Sequence, residues 1–201
     1  MIRLALTGGV ATGKSTALKI LKELGCNTIS SDDIVRELMR TDKKLIMQLK
    51  STFNCVDENG VVDRKALGKL VFNDKVAKDK LESLTHPLVK IVRKEFFKKC
   101  ESTGNQFVVC ETPLLFEKGL MNEFDYSILL VSSLDIRIDR YVNSGKGTQD
   151  KFFSITHNQL LDSKKTARAD FVIKNNGTKL QLKEKLEQTL KAILSKHNKN
   201  L

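Results

Sequence analysis

The chain has no tryptophan, two prolines and two tyrosines among its 201 residues, and aromatic residues make up only 6% of it. So few prolines exclude a proline-rich linker between domains. No apolar run reaches membrane-spanning length, so no membrane association is expected. The opening M-I-R-L-A-L-T-G-G is apolar over too few residues to act as a secretory signal. The four cysteines, Cys26, Cys55, Cys100 and Cys110, form no C-x-x-C pair and the three histidines are scattered, so no zinc site is expected. Reduced thiols and a cytoplasmic location fit that usage. Repeats and low-complexity tracts are also lacking. Acidic residues are in deficit, 24 against 35 lysines and arginines, for a net charge of +11. That excess has three readings: nucleic-acid binding, a pocket for several substrate phosphates, or a solvated lysine-rich surface. The lysines are spread along the chain without the patch or stripe that nucleic acid requires, so no nucleic-acid partner is expected. The length suits one compact domain with small insertions and a core that needs no staples. Nothing in the pattern specifies an oligomeric state.

What is present is concentrated near the start. Leu4 to Thr7 reads as a short strand, and Gly8-x-x-x-x-Gly13-Lys14-Ser15 is a Walker A phosphate-binding loop. Thr16 to Leu24 follows as a helix, apolar on one face at Ala17, Leu18, Ile20, Leu21 and Leu24. A strand before and a helix after are what the loop's chemistry needs. Gly8, Gly9, Val10, Ala11, Thr12, Gly13, Lys14, Ser15 and Thr16 are therefore the candidate ATP-phosphate site. Backbone N–H groups of the turn and helix N-terminus face the anion. Lys14 adds a charge on the β and γ phosphates, and the Ser15 hydroxyl is a hard oxygen ligand for Mg²⁺.

Gly25 ends the first helix, and Asn27 to Ser30 reads as a second strand with Asp32 and Asp33 beyond its C-terminal end. Either aspartate is placed to cap a helix from Ile34 to Met39. Lys43 to Ser102 reads as mostly helical, with separate helices beginning near Asp74 and at Pro87, and with Asn59-Gly60 as a turn. So long a connection suggests an insertion for substrate recognition, with a plain helical layer as the alternative. Phe107 to Cys110 is a third strand, and Glu111 after it is a candidate for ordering the Mg²⁺ shell. Ser127 to Val131 is a fourth strand, followed by a helix from Leu134 to Val142. The polar N-S-G-K-G-T-Q-D-K then reads as the front of a lid with Lys151 to Gln159 helical. Phe171 to Ile173 is a fifth strand. Leu180 to Leu194 is a closing helix, and the basic tail to Lys199 reads as its frayed end. Strands alternating with helices, with a Walker A loop after the first, give an α/β, three-layer P-loop NTPase fold with a parallel sheet; on the insertion reading the helical acceptor-binding segment spans about 40–103, and the polar stretch after the fourth strand places a lid at about 140–166.

A guanine-selecting N-K-x-D is lacking, and Asp57 to Gly60, which matches D-x-x-G, sits in a polar turn with no long apolar strand before it. That argues against a GTPase switch. The length is short for an AAA-type motor. A small-molecule kinase fits better.

Several stretches resemble the dephospho-CoA kinase family. L-T-G-G-V-A-T-G-K-S-T (Leu6–Thr16) resembles its opening, where a glycine often stands at the place of Ala11. I-S-S-D-D-I-V-R (Ile29–Arg36), G-V-V-D-R-K-A-L (Gly60–Leu67) and L-E-S-L-T-H-P-L-V (Leu81–Val89) resemble further family motifs, as do E-T-P-L-L-F-E (Glu111–Glu117) and K-T-A-R-A-D-F-V-I-K-N-N-G (Lys165–Gly177). The resemblance implies transfer of the ATP γ-phosphoryl group to the ribose 3′-hydroxyl of dephospho-CoA, with ATP and Mg²⁺ as cofactors. It implies Asp32 as general base, with helix capping as the competing reading. Arg140 would stabilise the transferring phosphoryl group, with an ion pair to Asp135 or Asp139 as the alternative. Lys146 and Lys165 join Arg140 in the lid. Arg64, His86, Leu114 and Glu117 fall on acceptor-site positions, although His86 suits a helix end equally. Asn175 and Gly177 join the nucleotide site. The chain departs from the family at Ser30 and Glu111, each in place of an aspartate, and at Ser144 in place of a second lid arginine. The alternatives are a kinase of another nucleoside or nucleotide, or a non-catalytic ATP-binding regulator that contacts nucleic acid.

Overall fold

The computed structural model describes residues 1–102, 104–157 and 159–199, with Asn73 described by its backbone alone. Five strands, β1 (Ile2–Gly8), β2 (Asn27–Ser30), β3 (Phe107–Glu111), β4 (Tyr126–Val131) and β5 (Phe171–Lys174), form one sheet of order β2-β3-β1-β4-β5. β1 runs parallel to β3 and to β4, and β4 parallel to β5. The five strands expected from the sequence are all present: β2 with the expected bounds, β3, β4 and β5 longer by one residue, and β1 by three. β1, β3 and β4 were legible because a parallel strand covered on both faces is a continuous apolar run.

The chain divides into two compact units: residues 1–28 with those from Cys100 onward, and Ile29–Lys99. In the first, Leu4, Leu6, Val109, Ile128 and Leu130 share one sheet face and are buried. They pack with Ala17, Ile20 and Leu21 of α1 (Lys14–Glu23) and with Leu182, Leu186, Leu190 and Ile193 of α9 (Lys179–Lys199). Spacings of three and four put that α9 set on one stripe. Ala5, Val108, Cys110 and Leu129, which alternate with them, are equally buried, so both faces of the sheet are covered. α1 stops because Gly25, at φ 86, accepts a left-handed turn. Its N–H donates to the Lys22 carbonyl and that of Cys26 to Leu21, the paired bonds of a Schellman ending.

The second unit is helical: α2 (Ser31–Thr41), α3 (Lys43–Phe53), α4 (Arg64–Asn73) and α5 (Lys75–Glu101), whose last two residues belong to the first unit. Aspartates open three of them. Asp42 accepts the Leu45 N–H, Asp63 those of Lys65 and Ala66, and Asp74 those of Val76 and Ala77. The Asn59-Gly60 turn is present, closed by an antiparallel bridge between Val56 and Val62. Leu45, Leu49, Leu67 and Val89 are central to this unit's core.

Three expectations are corrected. Asp32 and Asp33 do not cap α2: Ser30 is the N-cap, without a side-chain bond, and both aspartates lie in the first turn, where the helix dipole favours them. Pro87 does not open a helix but lies inside the 27-residue α5. Leu81, Leu84, Leu88 and Val92 face the same core on both sides of it, and that shared burial offsets the roughly 3 kcal/mol an internal proline costs. The tail to Lys199 is helical, part of α9.

The remaining elements of the first unit are α6 (Leu134–Asn143), α7 (Gln149–His157), α8 (Asp162–Thr166) and a 3₁₀ turn at Leu120–Glu123. The last two were not foreseen. The helix expected over Lys151 to Gln159 is α7, and Asn158 of that range lies outside the described residues.

Candidate active site

β1 is flanked by β3 and β4, and the loop leaving its carboxyl end lies where open α/β sheets bind ligands. Gly8, at φ 150, ends the strand. A Cβ there would stand 2.5 Å from the Leu130 carbonyl oxygen, so only glycine fits. Gly13, at φ 97, precedes α1, and a Cβ on it would collide with the Asn175 amide. Between them Ala11 takes φ 59, a left-handed conformation that costs a residue with a side chain about 1–2 kcal/mol. The Thr12 hydroxyl donates to the Gly9 carbonyl at 3.0 Å and closes the turn. The Lys14 ammonium reaches back to the carbonyls of Gly8 at 2.9 Å and Gly9 at 2.8 Å. Ser15 and Thr16 are exposed in the first turn of α1.

Two other segments brace this loop. Asn175, buried after β5, donates its side-chain N–H to the Thr12 carbonyl at 2.9 Å and its backbone N–H to Val131. Its own carbonyl accepts from the Ser132 hydroxyl at 2.7 Å and from Arg140 at 3.0 Å. Gly177 is exposed further along the same loop. Arg140 also reaches Ser132 Oγ, at 3.2 Å. It therefore fastens α6 to the Asn175 loop, and these contacts are neither the phosphoryl contact nor the carboxylate pair considered from the sequence.

The guanidinium that touches the phosphate loop is instead that of Arg137, one turn earlier. It is 8% exposed. Nε donates to the Val10 carbonyl at 2.8 Å, and Nη1 pairs with Asp162 of α8 at 3.0 Å. The group lies over the Phe152 ring, 5.4 Å from its centre, and Phe152 packs edge-on against Tyr141. Burial lowers the guanidinium's pKa and Asp162 opposes that effect; arginine stays charged regardless. Sequence reasoning missed this residue. The available signal was a charged side chain four places before Tyr141, on the inward stripe of α6.

Glu117 and Lys165, read respectively as acceptor-site and lid residues, meet each other. Lys165 is fully buried and its Nζ lies 3.0 Å from Glu117 Oε1. The same oxygen accepts the Leu160 N–H at 3.1 Å. The Nζ contact is ionic and lacks hydrogen-bond geometry; among the described residues, Nζ and Oε2 have no hydrogen-bond partner. Leu114 is half-buried beside this stretch. Lys146 is exposed between α6 and α7, its carbonyl accepting from the Tyr141 hydroxyl. Glu111 closes β3, buried and in register with Leu6.

In the second unit, Asp32 is exposed on the rim of a cavity of about 290 Å³. Arg36 and Arg64 line it beside Asp32, above an apolar floor that includes Met39, Leu67 and Leu81. Arg36 also pairs with Asp33 at 2.7 Å. Gly68 lines the same cavity, and a Cβ there would meet open space. His86 is exposed on α5.

A sequence profile described as dephospho-CoA kinase matches residues 2–181. The chain belongs to the dephospho-CoA kinase family. A dephospho-CoA kinase from Bartonella quintana is 37% identical over 178 residues, covering 89% of this chain and 90% of that protein. A solved dephospho-CoA kinase from Campylobacter jejuni superposes with a TM-score of 0.69 at 28% identity, over 98% of each chain. A Thermus thermophilus protein of known structure gives 0.80 at 29% identity, over 97% of each chain. The nucleotide-binding fold and kinase activity are those of this family. Among the described residues no helix is long and apolar enough to cross a membrane.

Proposed function

We propose that this chain transfers the γ-phosphoryl group of ATP to the ribose 3′-hydroxyl of dephospho-CoA, giving CoA and ADP, the last step of coenzyme A biosynthesis. The observation that carries the reading is one chain, matched to the family over residues 2–181, in which a braced Gly8–Ser15 loop and an Asp32 cavity lined by arginines both occur. Lys14, now on the Gly8 and Gly9 carbonyls, exchanges them for the β and γ phosphates. Asp32 accepts the 3′-hydroxyl proton as the O3′–P bond forms and ADP leaves with the bridging oxygen's electrons. Arg64 and Arg36 suit the acceptor's diphosphate, and the apolar residues of the same cavity suit the methyl and methylene groups of its pantetheine arm. His86, Leu114 and Glu117 complete the proposed acceptor residues. Arg140, Lys146 and Lys165 belong to a lid at about 140–166, and about 40–103 is the acceptor-binding insertion. Asn175 and Gly177 border the nucleotide.

The residues present fit magnesium. The Ser15 hydroxyl is exposed in the first turn of α1, and Glu111 ends β3 beside the strand that leads into the phosphate loop. A hydroxyl, a carboxylate acting through water and the nucleotide's own phosphates make up the usual magnesium shell. Ser15 and Glu111 are the residues assigned to it. Bound there, Mg²⁺ neutralises charge on the β and γ oxygens. The protein is expected to work in the cytoplasm on a small-molecule substrate, without nucleic acid.

The test is ADP release from Mg²⁺-ATP with dephospho-CoA, adenosine or AMP as acceptor. Release that depends on dephospho-CoA, with CoA as product, is the expected result. Release with a rival acceptor alone would reassign the Asp32 cavity.

A further inference from the structure

We propose that Arg137 is a positioning residue for the phosphate loop: its guanidinium holds the Val10–Ala11 peptide in the orientation that binds the nucleotide's phosphates. The inference rests on reading Gly8–Ser15 as the ATP phosphate site.

Ala11 is the strained point of that loop, at φ 59. A residue with a Cβ leaves this region readily unless something holds it there. The rest of the loop is held by local bonds, Thr12 to Gly9 and Lys14 to Gly8 and Gly9, and by the Asn175 amide on the Thr12 carbonyl. None of these acts on the peptide between Val10 and Ala11. Arg137 does, through the 2.8 Å bond from Nε to the Val10 carbonyl. A trans peptide is planar, with its C=O and N–H pointing opposite ways. Fixing the Val10 oxygen toward Arg137 therefore turns the Ala11 N–H away from it. Successive N–H groups that alternate into the left-handed region make a concave anion site, so this one peptide decides whether the Ala11 N–H belongs to it.

Arg137 is itself immobilised. Asp162 holds Nη1, the Phe152 ring lies against the guanidinium, and Gly9 lets Nη2 approach so closely that a Cβ there would stand 2.5 Å from it. The long side chain's freedom is lost before any nucleotide arrives, which is preorganisation. Asp162 starts α8, so the pair also ties the return arm of the lid region to the peptide that receives the phosphates.

The experiment measures ATP and ADP affinity by calorimetry without acceptor, and KM for each substrate and kcat in the full reaction, for wild type, Arg137→Gln, Ala11→Gly and the double variant. Arg137→Gln is expected to weaken ATP and ADP binding by about tenfold or more. KM for ATP should rise in step, while KM for dephospho-CoA stays within about twofold. In the Ala11→Gly background the same substitution should cost less than about threefold, because glycine holds a positive φ without strain. A merely structural role would move stability without this split or this rescue. If Arg137→Gln does not fold, Arg137→Lys replaces it, keeping the charge beside Asp162 and losing the Nε donor. Unchanged nucleotide affinity, or an equal loss with alanine or glycine at position 11, overturns the proposal alone. Wild type that binds no ATP would overturn the nucleotide-loop reading and this proposal with it.

Discussion

The Asn175 side-chain amide donates to the Thr12 carbonyl at 2.9 Å, joining the turn after β5 to the phosphate loop after β1 across 163 positions of sequence. Both residues are buried, so the bond is made away from water. Asn175→Ala leaves the Thr12 oxygen without that donor, at a cost of about 1–3 kcal/mol. Asn175→Asp keeps the shape but turns an acceptor toward the carbonyl, and is expected to be worse than alanine. Thermal melts and ATP titration check both. Asp and Ala variants of equal stability would mean that the side chain's packing, and not its N–H, braces the loop.

Asp32 separates chemistry from folding. It is exposed and lies in the first turn of α2, so Asp32→Asn should cost no more than the helix-dipole term, about 0.3–1 kcal/mol. As general base its loss should slow turnover by about 10²–10⁴-fold. ATP affinity should be unchanged. Near wild-type kcat in the folded variant would remove Asp32 from that role.

The strands and the phosphate loop were legible because their signals are local: apolar runs, glycines and a lysine at fixed spacing. Other features depend on partners distant in sequence. Pro87 reads as a helix start from its neighbours, and only the common core contacted by Leu81, Leu84, Leu88 and Val92 shows that one helix runs through it. Asp32 and Asp33 both suit a cap because aspartate favours that place, yet β2 runs into α2 with Ser30 at the junction and moves the first turn back. Arg140 drew attention through the family pattern. Arg137 did not, because its role rests on Val10, far upstream, and on Asp162, in a helix too short to be read from its pattern. Glu117 and Lys165 were each legible as motif positions, but nothing local pairs them.

Acid should act through Asp125. Burial pushes its carboxyl up, but the hydrogen bonds and charge of Arg3 outweigh that and hold it below its usual value. Arg3 gives it both the backbone N–H, at 2.7 Å, and Nη2, at 2.9 Å. A depressed folded-state pKa adds stability that is present above the unfolded value, near 4, and disappears as pH falls through the folded one. Asp125→Asn should therefore lower the melting temperature at pH 7 and have progressively less effect as the pH is brought below about 4. The pair is partly exposed, so added salt should shrink the difference. A difference that grows on acidification would refute this assignment.

The Lys165–Glu117 pair should be costly to break and inexpensive to replace. Lys165 is fully buried and the Glu117 side chain is 13% exposed. Lys165→Met leaves a buried carboxylate that keeps the Leu160 N–H but loses its counter-charge, and Glu117→Gln leaves a buried ammonium. Each should cost about 3–5 kcal/mol, which for a chain of this size is a fall in melting temperature of about 10 °C. Lys165→Met combined with Glu117→Leu removes both charges and should recover most of that loss, because desolvation consumes much of a buried pair's attraction. The comparison is made by melts of the two single variants and the double. If each single variant costs less than about 1 kcal/mol, water reaches the pair in solution and it behaves as a surface contact. If the double variant is as unstable as the sum of the singles, packing of the two long side chains, and not their charges, holds the Glu117 turn against α8.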